Sequence, residues 1–284
     1  MRVYISVDME GIGGVSHPHP TDPADRRYAT SVDLMVGETN AAIEGALAGG
    51  ATDIFVNDSH WNMYNLVAEA VHPRARVLQG QKAWSMVAGA QPAGGDAGAD
   101  GSPAFDVALF VGYHARAGHP RGTIAHTYSG RPVETRLDGR PTGEYGLNAM
   151  VLGAWGIPVG MVAGDDALAE EVETWLSWAE RVVVKDAAGG NSAISPHPSA
   201  ARERVRAGAE AAVRAAGDGS LRLLAVPPPV VIEVDYARGV VADHAAIVPG
   251  AERVGDRTVR FASDDPVVAY RGFLAIDRLA STVD

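Results

Sequence analysis

The chain of 284 residues contains no cysteine. Disulfide bonds and catalysis by a thiolate are therefore excluded, and any metal ion must be held by nitrogen and oxygen ligands. Histidine and carboxylate residues become the side chains to follow in a search for a metal site.

Basic residues and long apolar runs are also scarce. Lysine and arginine together number 24 against 35 acidic residues, so the formal net charge is −11. A surface of this sign argues against nucleic acid or an anionic membrane as a partner. No apolar run approaches the ~20 residues that span a bilayer, and the N-terminus lacks the pattern of a signal peptide. We therefore expect a cytoplasmic protein.

Strand and helix patterns alternate over the first 165 residues, which is typical of a parallel sheet covered by helices. We predict an α/β fold in which a mostly parallel or mixed central sheet is flanked by helices. The patterns predict a strand at 2–7, a helix at 30–48, strands at 53–56, 76–78 and 106–113, a helix at 144–155 and a strand at 158–163.

The pattern of predicted strands and helices changes near residue 180. We predict a metal-binding catalytic lobe over 1–180 and a smaller C-terminal α+β lobe over 181–284, packed on the first. Within the second lobe we expect a strand at 181–185, a loop at 186–198, a helix at 199–216, two half-buried strands at 230–236 and 257–263, and a last helix at 266–281. Residues 90–104 lack periodicity and have the composition of a flexible surface loop.

Residues that bind metals follow three of the predicted strands. Asp8 and Glu10 follow the first strand, His60 the second and His114 the strong strand at 106–113. The carboxyl ends of neighbouring parallel strands are where open α/β sheets place their active sites. Two further candidates stand apart from these strands: Glu144 opens a helical pattern, and His126 lies in a polar segment between. A mixed set of imidazoles and carboxylates suits Zn²⁺ or a similar divalent ion.

Each candidate also has a purely structural interpretation. Asp8 and Glu10 would face the same side of a continuing strand and repel each other unless a cation lies between them, but they can equally be turn and solvated residues. A single histidine after a strand is more often structural than a ligand. Asp58 can cap a turn or accept a hydrogen bond from the His60 ring. Glu144 can simply complement the dipole of its helix.

Six short segments, taken in order, resemble the zinc D-aminopeptidases of the bacterial dipeptide-permease operon, which are ring-forming, self-compartmentalising metallopeptidases. The segments are SVDMEGIGG, VNDSH, GYHARAG, the AH of GTIAHTY, GEYGLNA and VAGDD. The similarity covers nearly the whole chain and is densest over residues 1–170.

This resemblance implies two zinc ions per subunit. Asp8 would bridge them, with Glu10 and His60 on one ion and His114 and Glu144 on the other. His126 matches the additional catalytic histidine of the family. The resemblance further implies hydrolysis of N-terminal D-residues from short peptides by metal-activated water, and a ring-shaped homo-oligomer.

Other functions stay open at the level of the sequence. The same ligands could serve another metal-dependent amidohydrolase, a phosphoesterase acting on a small substrate, or a non-catalytic metal-binding oligomer. Two segments depart from the family pattern. The 90–104 loop is longer than expected, and the segment after Lys185 is shortened, with Gly190 and Asn191 near the place of an expected basic residue.

Overall fold

The computed structural model describes residues 1–92 and 102–283, which form twelve strands and six α-helices. The strands are β1 (Arg2–Val7), β2 (Asp53–Asp58), β3 (Ala75–Leu78), β4 (Val107–Val111), β5 (Pro132–Leu137), β6 (Arg140–Pro141), β7 (Val159–Asp165), β8 (Glu180–Gly189), β9 (Ser192–Ile194), β10 (Val230–Tyr236), β11 (Ala251–Arg253) and β12 (Thr258–Ser263). The helices are α1 (Tyr28–Ala48), α2 (Glu144–Ala154), α3 (Asp166–Trp175), α4 (Pro198–Gly217), α5 (Gly239–Ala245) and α6 (Pro266–Ala280). None of these helices is long and apolar enough to cross a membrane.

Seven strands form a central sheet in the order β3-β2-β1-β4-β7-β8-β9. Every neighbouring pair is parallel except β8 and β9, which are antiparallel. The predicted mostly parallel central sheet is therefore confirmed. Strand β1 lies between β2 and β4, so the three strand ends that precede the candidate ligands are adjacent.

Both faces of this sheet are buried. Val3, Ile5 and Val7 of β1 point to the face covered by α1 and α4, whereas Tyr4 points to the opposite face. This alternation follows from the period of two along a strand. The second face packs against α2 and against the layer that contains the second sheet and α6. Helices thus flank the sheet as predicted.

The remaining five strands form an antiparallel sheet in the order β11-β12-β10-β5-β6. The predicted division at residue 180 does not coincide with the division into sheets. Residues 132–141 supply β5 and β6 to the second sheet, while β8, β9 and α4 extend and cover the first. The assignment of separate lobes itself stays a prediction.

The segment 186–198, predicted as a loop, is in part a hairpin. Strand β8 continues to Gly189 and turns back to pair with β9. Gly189 adopts a φ of +149°, which favours glycine at this turn. The Gly and Ser content that suggested a loop is tolerated because β9 is an edge strand. Of the predicted 90–104 loop, residues 93–101 lie outside the described part of the chain.

Helices α1 and α4 pack very closely, because α1 presents glycine to α4. A Cβ atom added at Gly45 would lie 2.1 Å from the backbone oxygen of Arg206 and 2.9 Å from Cβ of Ala209. At Gly37, on the same helix, the nearest atoms belong to the guanidinium end of Arg202, at 2.3 Å. An added Cβ at Gly45 would therefore clash with backbone, whereas one at Gly37 would meet the end of a side chain that can move away.

We expect Gly45→Ala to lower the free energy of unfolding by about 1–3 kcal/mol, because the helices must move apart. Gly37→Ala is the matched control, and it should be neutral or stabilising by up to about 1 kcal/mol since alanine favours helix. Urea denaturation of both variants measures the difference. Equal stability of the two variants would contradict the close backbone contact at Gly45.

Candidate metal centre

A cavity of about 820 Å³ opens at the carboxyl ends of β1, β2 and β4. Asp8, Glu10, His60, His126 and Glu144 line this cavity. The sixth predicted site residue is His114, which is buried to 2% exposure among them. The structure therefore brings all six predicted site residues together.

Parallel pairing sets the positions of the strand-end ligands. Val7 at the end of β1 is in register with Asp58 of β2 and with Val111 of β4. The amide of Asp8 then donates to the carbonyl of Val111 at 2.8 Å, so the chain leaves β1 against β4. Asp8, His60 and His114 follow these three strand ends within a few residues and converge because the strands end at the same edge.

The two oxygens of the Asp8 carboxylate face two different histidines. Oδ1 lies 3.2 Å from Nδ1 of His60, and Oδ2 lies 3.4 Å from Nε2 of His114. Each of these imidazole nitrogens faces a second carboxylate: Glu10 Oε2 is 2.9 Å from His60 Nδ1, and Glu144 Oε2 is 3.3 Å from His114 Nε2. Two groups of ligand atoms thus share one carboxylate.

Backbone carbonyls fix the tautomers of the histidines. Nε2 of His60 lies 2.9 Å from the carbonyl oxygen of Thr21, and Nδ1 of His114 lies 3.0 Å from that of Ala115. A carbonyl can only accept, so these nitrogens carry hydrogen, and in a neutral ring the other nitrogen turns a lone pair towards the carboxylates. Lone pairs and carboxylate oxygens repel each other unless a proton or a metal ion lies between them.

Two buried polar atoms of the cluster lack a hydrogen-bond partner. Within the described residues, Glu10 Oε2 and His114 Nε2 have no hydrogen-bond partner of proper geometry. Ligand atoms of Asp8, Glu10 and His114 lie within 4.8 Å of one another, as do those of His114, His126 and Glu144. The donor set is nitrogen and oxygen, which suits Zn²⁺, and the residues present therefore fit a metal centre.

His126 differs from the other two histidines. Its ring stacks on that of His114 with centroids 4.1 Å apart, and its Nε2 lies 3.8 Å from Glu144 Oε1. Its side chain is 24% exposed, whereas those of His60 and His114 are almost fully buried. Nδ1 lies 2.8 Å from the carbonyl oxygen of Ile124, so Nε2 is directed to the cavity with a free lone pair.

A model of peptidase family M55, described as D-aminopeptidase, matches residues 1–275. The chain belongs to this D-aminopeptidase family. A D-aminopeptidase of Bacillus subtilis (strain 168) is 34% identical over 282 residues, covering 99% of this chain and 98% of the relative. The predicted resemblance and the predicted enzyme class are confirmed: this M55 chain is a peptidase.

The solved structure of a Zn-dependent D-aminopeptidase, DppA from Bacillus subtilis, superposes on this M55 chain with a TM-score of 0.90. The two are 33% identical, and the match covers 100% of this chain and 99% of the other. That protein is described as a self-compartmentalizing protease. The central mostly parallel sheet with flanking helices is therefore the architecture of an M55 enzyme.

Asp58 and Thr21 stabilise the loops around the ligands. The Asp58 carboxylate accepts hydrogen bonds from the amides of Asn65 (2.5 Å) and Leu66 (2.8 Å). Of the two roles predicted for Asp58, the structure therefore shows that of a turn cap. The ring partner of His60 outside the ligand cluster is the carbonyl of Thr21 instead. No sequence signal indicated Thr21, because a backbone carbonyl carries no residue-specific pattern.

Lys185 holds the loop that carries Glu10. Its Nζ is buried and donates to the carbonyl oxygens of Glu10 and Val15. On the other side of the loop, the carboxylate of Glu38 accepts a hydrogen bond from the amide of Gly13 at 2.8 Å. Lys185 ends the apolar run of β8 and is followed by Asp186, so no sequence pattern distinguishes it from a solvated lysine. The loop after β1 is thus fixed by side chains from β8 and α1.

A chain of buried hydrogen bonds, termed here the hydroxyl chain, runs beneath the ligands. Its links are Ser59 Oγ to Ser6 Oγ (2.7 Å), Ser6 Oγ to Tyr113 OH (2.8 Å), Asn148 Nδ2 to Tyr113 OH (3.1 Å) and Tyr128 OH to Asn148 Oδ1 (2.7 Å). The first three members lie within two residues of Asp8, His60 and His114, and Asn148 lies one helical turn after Glu144. The hydroxyl chain therefore joins every element that carries a candidate ligand.

Without metal, the cluster retains protons. Burial and the neighbouring charge of Glu10 raise the pKa of Asp8 to about 8. Burial opposes a charge on His114, but Glu144 outweighs it and raises the pKa of His114 to about 10. The pKa of His60 is raised as well, because Glu10 and Asp8 outweigh its burial. The metal-free site is therefore protonated at neutral pH.

We expect zinc binding at pH 7 to release about three protons per chain, because Asp8, His60 and His114 must lose protons that the metal-free site holds. The apparent zinc affinity should fall as the pH is lowered, by about tenfold per pH unit for each proton displaced. Calorimetric titration of metal-free protein in two buffers of different ionisation enthalpy measures the number released. Identical heats in both buffers would show that the ligands are already deprotonated.

Proposed function

We propose that this M55 peptidase is a dizinc aminopeptidase that removes N-terminal D-residues from short peptides. The observation that carries the proposal is the Asp8 carboxylate, whose two oxygens face two separate imidazole–carboxylate pairs. In this assignment Glu10 and His60 would hold one ion, His114 and Glu144 would hold the other, and Asp8 would be a ligand shared by both. The D-preference is taken from the family and from the Bacillus relative.

The ions would supply an activated water and polarise the scissile carbonyl. His126 can hold a proton at Nε2, because its Nδ1 faces the Ile124 carbonyl and Nε2 is directed to the cavity. In the metal-free protein, burial and the nearby charge of His114 lower the pKa of His126, and burial continues to favour the neutral ring, which can accept a proton at Nε2, when zinc is bound. His126 would accept the proton of the attacking water and donate it to the leaving amine.

The loop around His126 fixes the ring in this place. The amide of Tyr128 donates to Glu144 Oε1 at 2.7 Å, and the amide of Ile124 donates to the carbonyl of Gly190 at 2.7 Å. Gly190 and Asn191, from the shortened segment after Lys185, line the same cavity. The shortened segment therefore bears on substrate range, not on the metal ligands.

We further propose a homo-oligomer that encloses the active sites, as the solved relative does by its description as self-compartmentalizing. The ring shape and the cytoplasmic location stay predictions from the sequence. An enclosed cavity would favour short peptides over folded proteins as substrates.

The assignment of ligands predicts how zinc is lost. Asp8→Asn should lose both ions, because it weakens the shared ligand, whereas Glu10→Gln should lose about one of two. Zinc per chain is measured by mass spectrometry after dialysis at one fixed free zinc concentration, with the exposed Asp264→Asn as control. Two ions retained in Asp8→Asn would show that this carboxylate does not bridge.

The role of His126 predicts loss of turnover without loss of metal. His126→Ala should lower kcat for D-alanine p-nitroanilide by about 10²–10⁴-fold, the usual contribution of a general acid–base, at unchanged zinc content. The exposed His244→Ala is the matched control and should retain full activity. L-alanine p-nitroanilide run in parallel tests the stereochemistry.

Three results would overturn parts of this proposal. Zinc loss in His126→Ala would make that residue a ligand. Hydrolysis of the L-substrate alone would keep the metallopeptidase and discard the D-preference. No turnover of either anilide by protein that holds two zinc ions would point to other amides as substrates.

A further inference from the structure

A fourth buried carboxylate lines the cavity apart from the candidate ligands. Asp277 lies in the last turns of α6, is 6% exposed, and belongs to the cavity wall together with Ser129 and the exposed Arg278. Among the described residues that line the cavity, the other acidic side chains are Asp8, Glu10 and Glu144. Asp277 is thus the one acidic lining group that the metal centre does not use.

The Asp277 carboxylate forms no ion pair within 4.0 Å in the described part of the chain. It accepts a hydrogen bond from Ser129 Oγ at 2.5 Å, but none of the ion pairs formed within 4.0 Å by described residues includes it. Buried Glu171, by contrast, pairs with Arg116 at 3.2 Å. Burial raises the pKa of Asp277 to about 7, and the hydrogen bond from Ser129 and the charge of Arg278 offset only part of this effect. A buried carboxylate that lines a cavity and has no ion-pair partner is complementary to a cationic ligand group.

The place of Asp277 relative to the ligands indicates which cation it suits. Ser129 directly follows Tyr128, whose amide donates to Glu144 Oε1 at 2.7 Å. The two carboxylates are thus joined through two hydrogen bonds and two neighbouring residues, whose Cα atoms are about 3.8 Å apart, which keeps their separation on the order of 10 Å. The α-ammonium of an aminopeptidase substrate is two bonds from the scissile carbonyl carbon and is too near the metals. The terminal ammonium of a lysine-like side chain reaches about this far.

Apolar surface lies along the same wall. Met86 and Tyr128 also line the cavity, and the Tyr128 ring packs on Phe273 with centroids 5.1 Å apart. Long basic side chains bury their methylene stems against such surfaces and place the charged end on a polar partner.

We propose that Asp277 forms a subsite for a cationic side chain on the N-terminal D-residue of the substrate, of the lysine or ornithine class. The proposal rests on the function proposed above. It makes Asp277 a specificity-determining residue, whereas its hydrogen bond to Ser129 alone would make it only a clamp of the loop that carries His126.

A matched pair of substrates separates these two roles. D-Lysyl and D-norleucyl p-nitroanilide share a linear four-carbon side chain, and only the D-lysyl substrate carries a terminal ammonium on it. Wild-type zinc-loaded enzyme should have the higher kcat/KM for the D-lysyl substrate. Asp277→Asn should lower the D-lysyl to D-norleucyl ratio by about tenfold or more, since an unpaired ammonium is left in the subsite. Asp277→Glu keeps the charge and should retain part of the preference.

Ser129→Ala is the control for the clamp, because it removes the hydrogen bond and leaves the carboxylate. It should change both substrates by the same factor. The same equal change in Asp277→Asn would overturn the subsite. So would a wild-type enzyme that prefers the D-norleucyl substrate.

Binding of D-lysinamide and D-norleucinamide, measured by calorimetry on the same zinc-loaded proteins, does not require turnover. If neither anilide is hydrolysed, the proposed function fails, but tighter binding of D-lysinamide that is lost in Asp277→Asn still supports the subsite. Equal binding of the two amides to wild-type protein would refute it.

Discussion

The carboxylate of Asp8 is the group on which the arrangement of the site depends. It is buried to 3% exposure, with Glu10 and Glu144 close by, and each of its oxygens is directed to a different imidazole. Gathering these negative charges away from water is unfavourable unless cations lie among them. The strand order, the tautomers and the loop contacts all serve to hold this repelling set together.

The strand-end ligands could be predicted because their positions follow from a local pattern. An apolar run that ends in Asp8, and others that end near His60 and His114, place these side chains at one sheet edge once the strands are taken as parallel. The hairpin of β8 and β9 was not predicted, since its glycine-rich sequence has no strand signature of its own. The pairing of β5 with β10 joins segments nearly a hundred residues apart, and no local period encodes that contact.

The parts of the site that could not be predicted from the sequence lie on segments far from the ligands along the chain. The carbonyl of Thr21 fixes a tautomer of His60, Lys185 holds the loop of Glu10, and Asp277 reaches the cavity from the last helix. Their roles arise from tertiary packing, and a single buried lysine or aspartate has no distinctive spacing. Family resemblance supplied the ligand pairing that residue types alone left open.

Backbone strain is concentrated around the same cavity. Five lining residues other than glycine adopt left-handed φ angles, namely Trp61, Met63, Ser85, Ile124 and Tyr128. Such conformations cost on the order of 1 kcal/mol each and persist only where the surroundings determine them. The two buried faces of the central sheet provide that support, so the stability of the core and the shape of the cavity are linked.

The hydroxyl chain beneath the ligands has a further consequence, because several of its members can reverse their hydrogen bonds. In the pairs Ser6–Ser59 and Ser6–Tyr113 either oxygen can be the donor. When a proton or a metal ion enters or leaves the site above, the O–H bonds can rotate while the heavy atoms stay in place. The hydroxyl chain is thus a polarisable medium inside the protein: its dipoles can reorient in response to a change of charge while its heavy atoms stay in place.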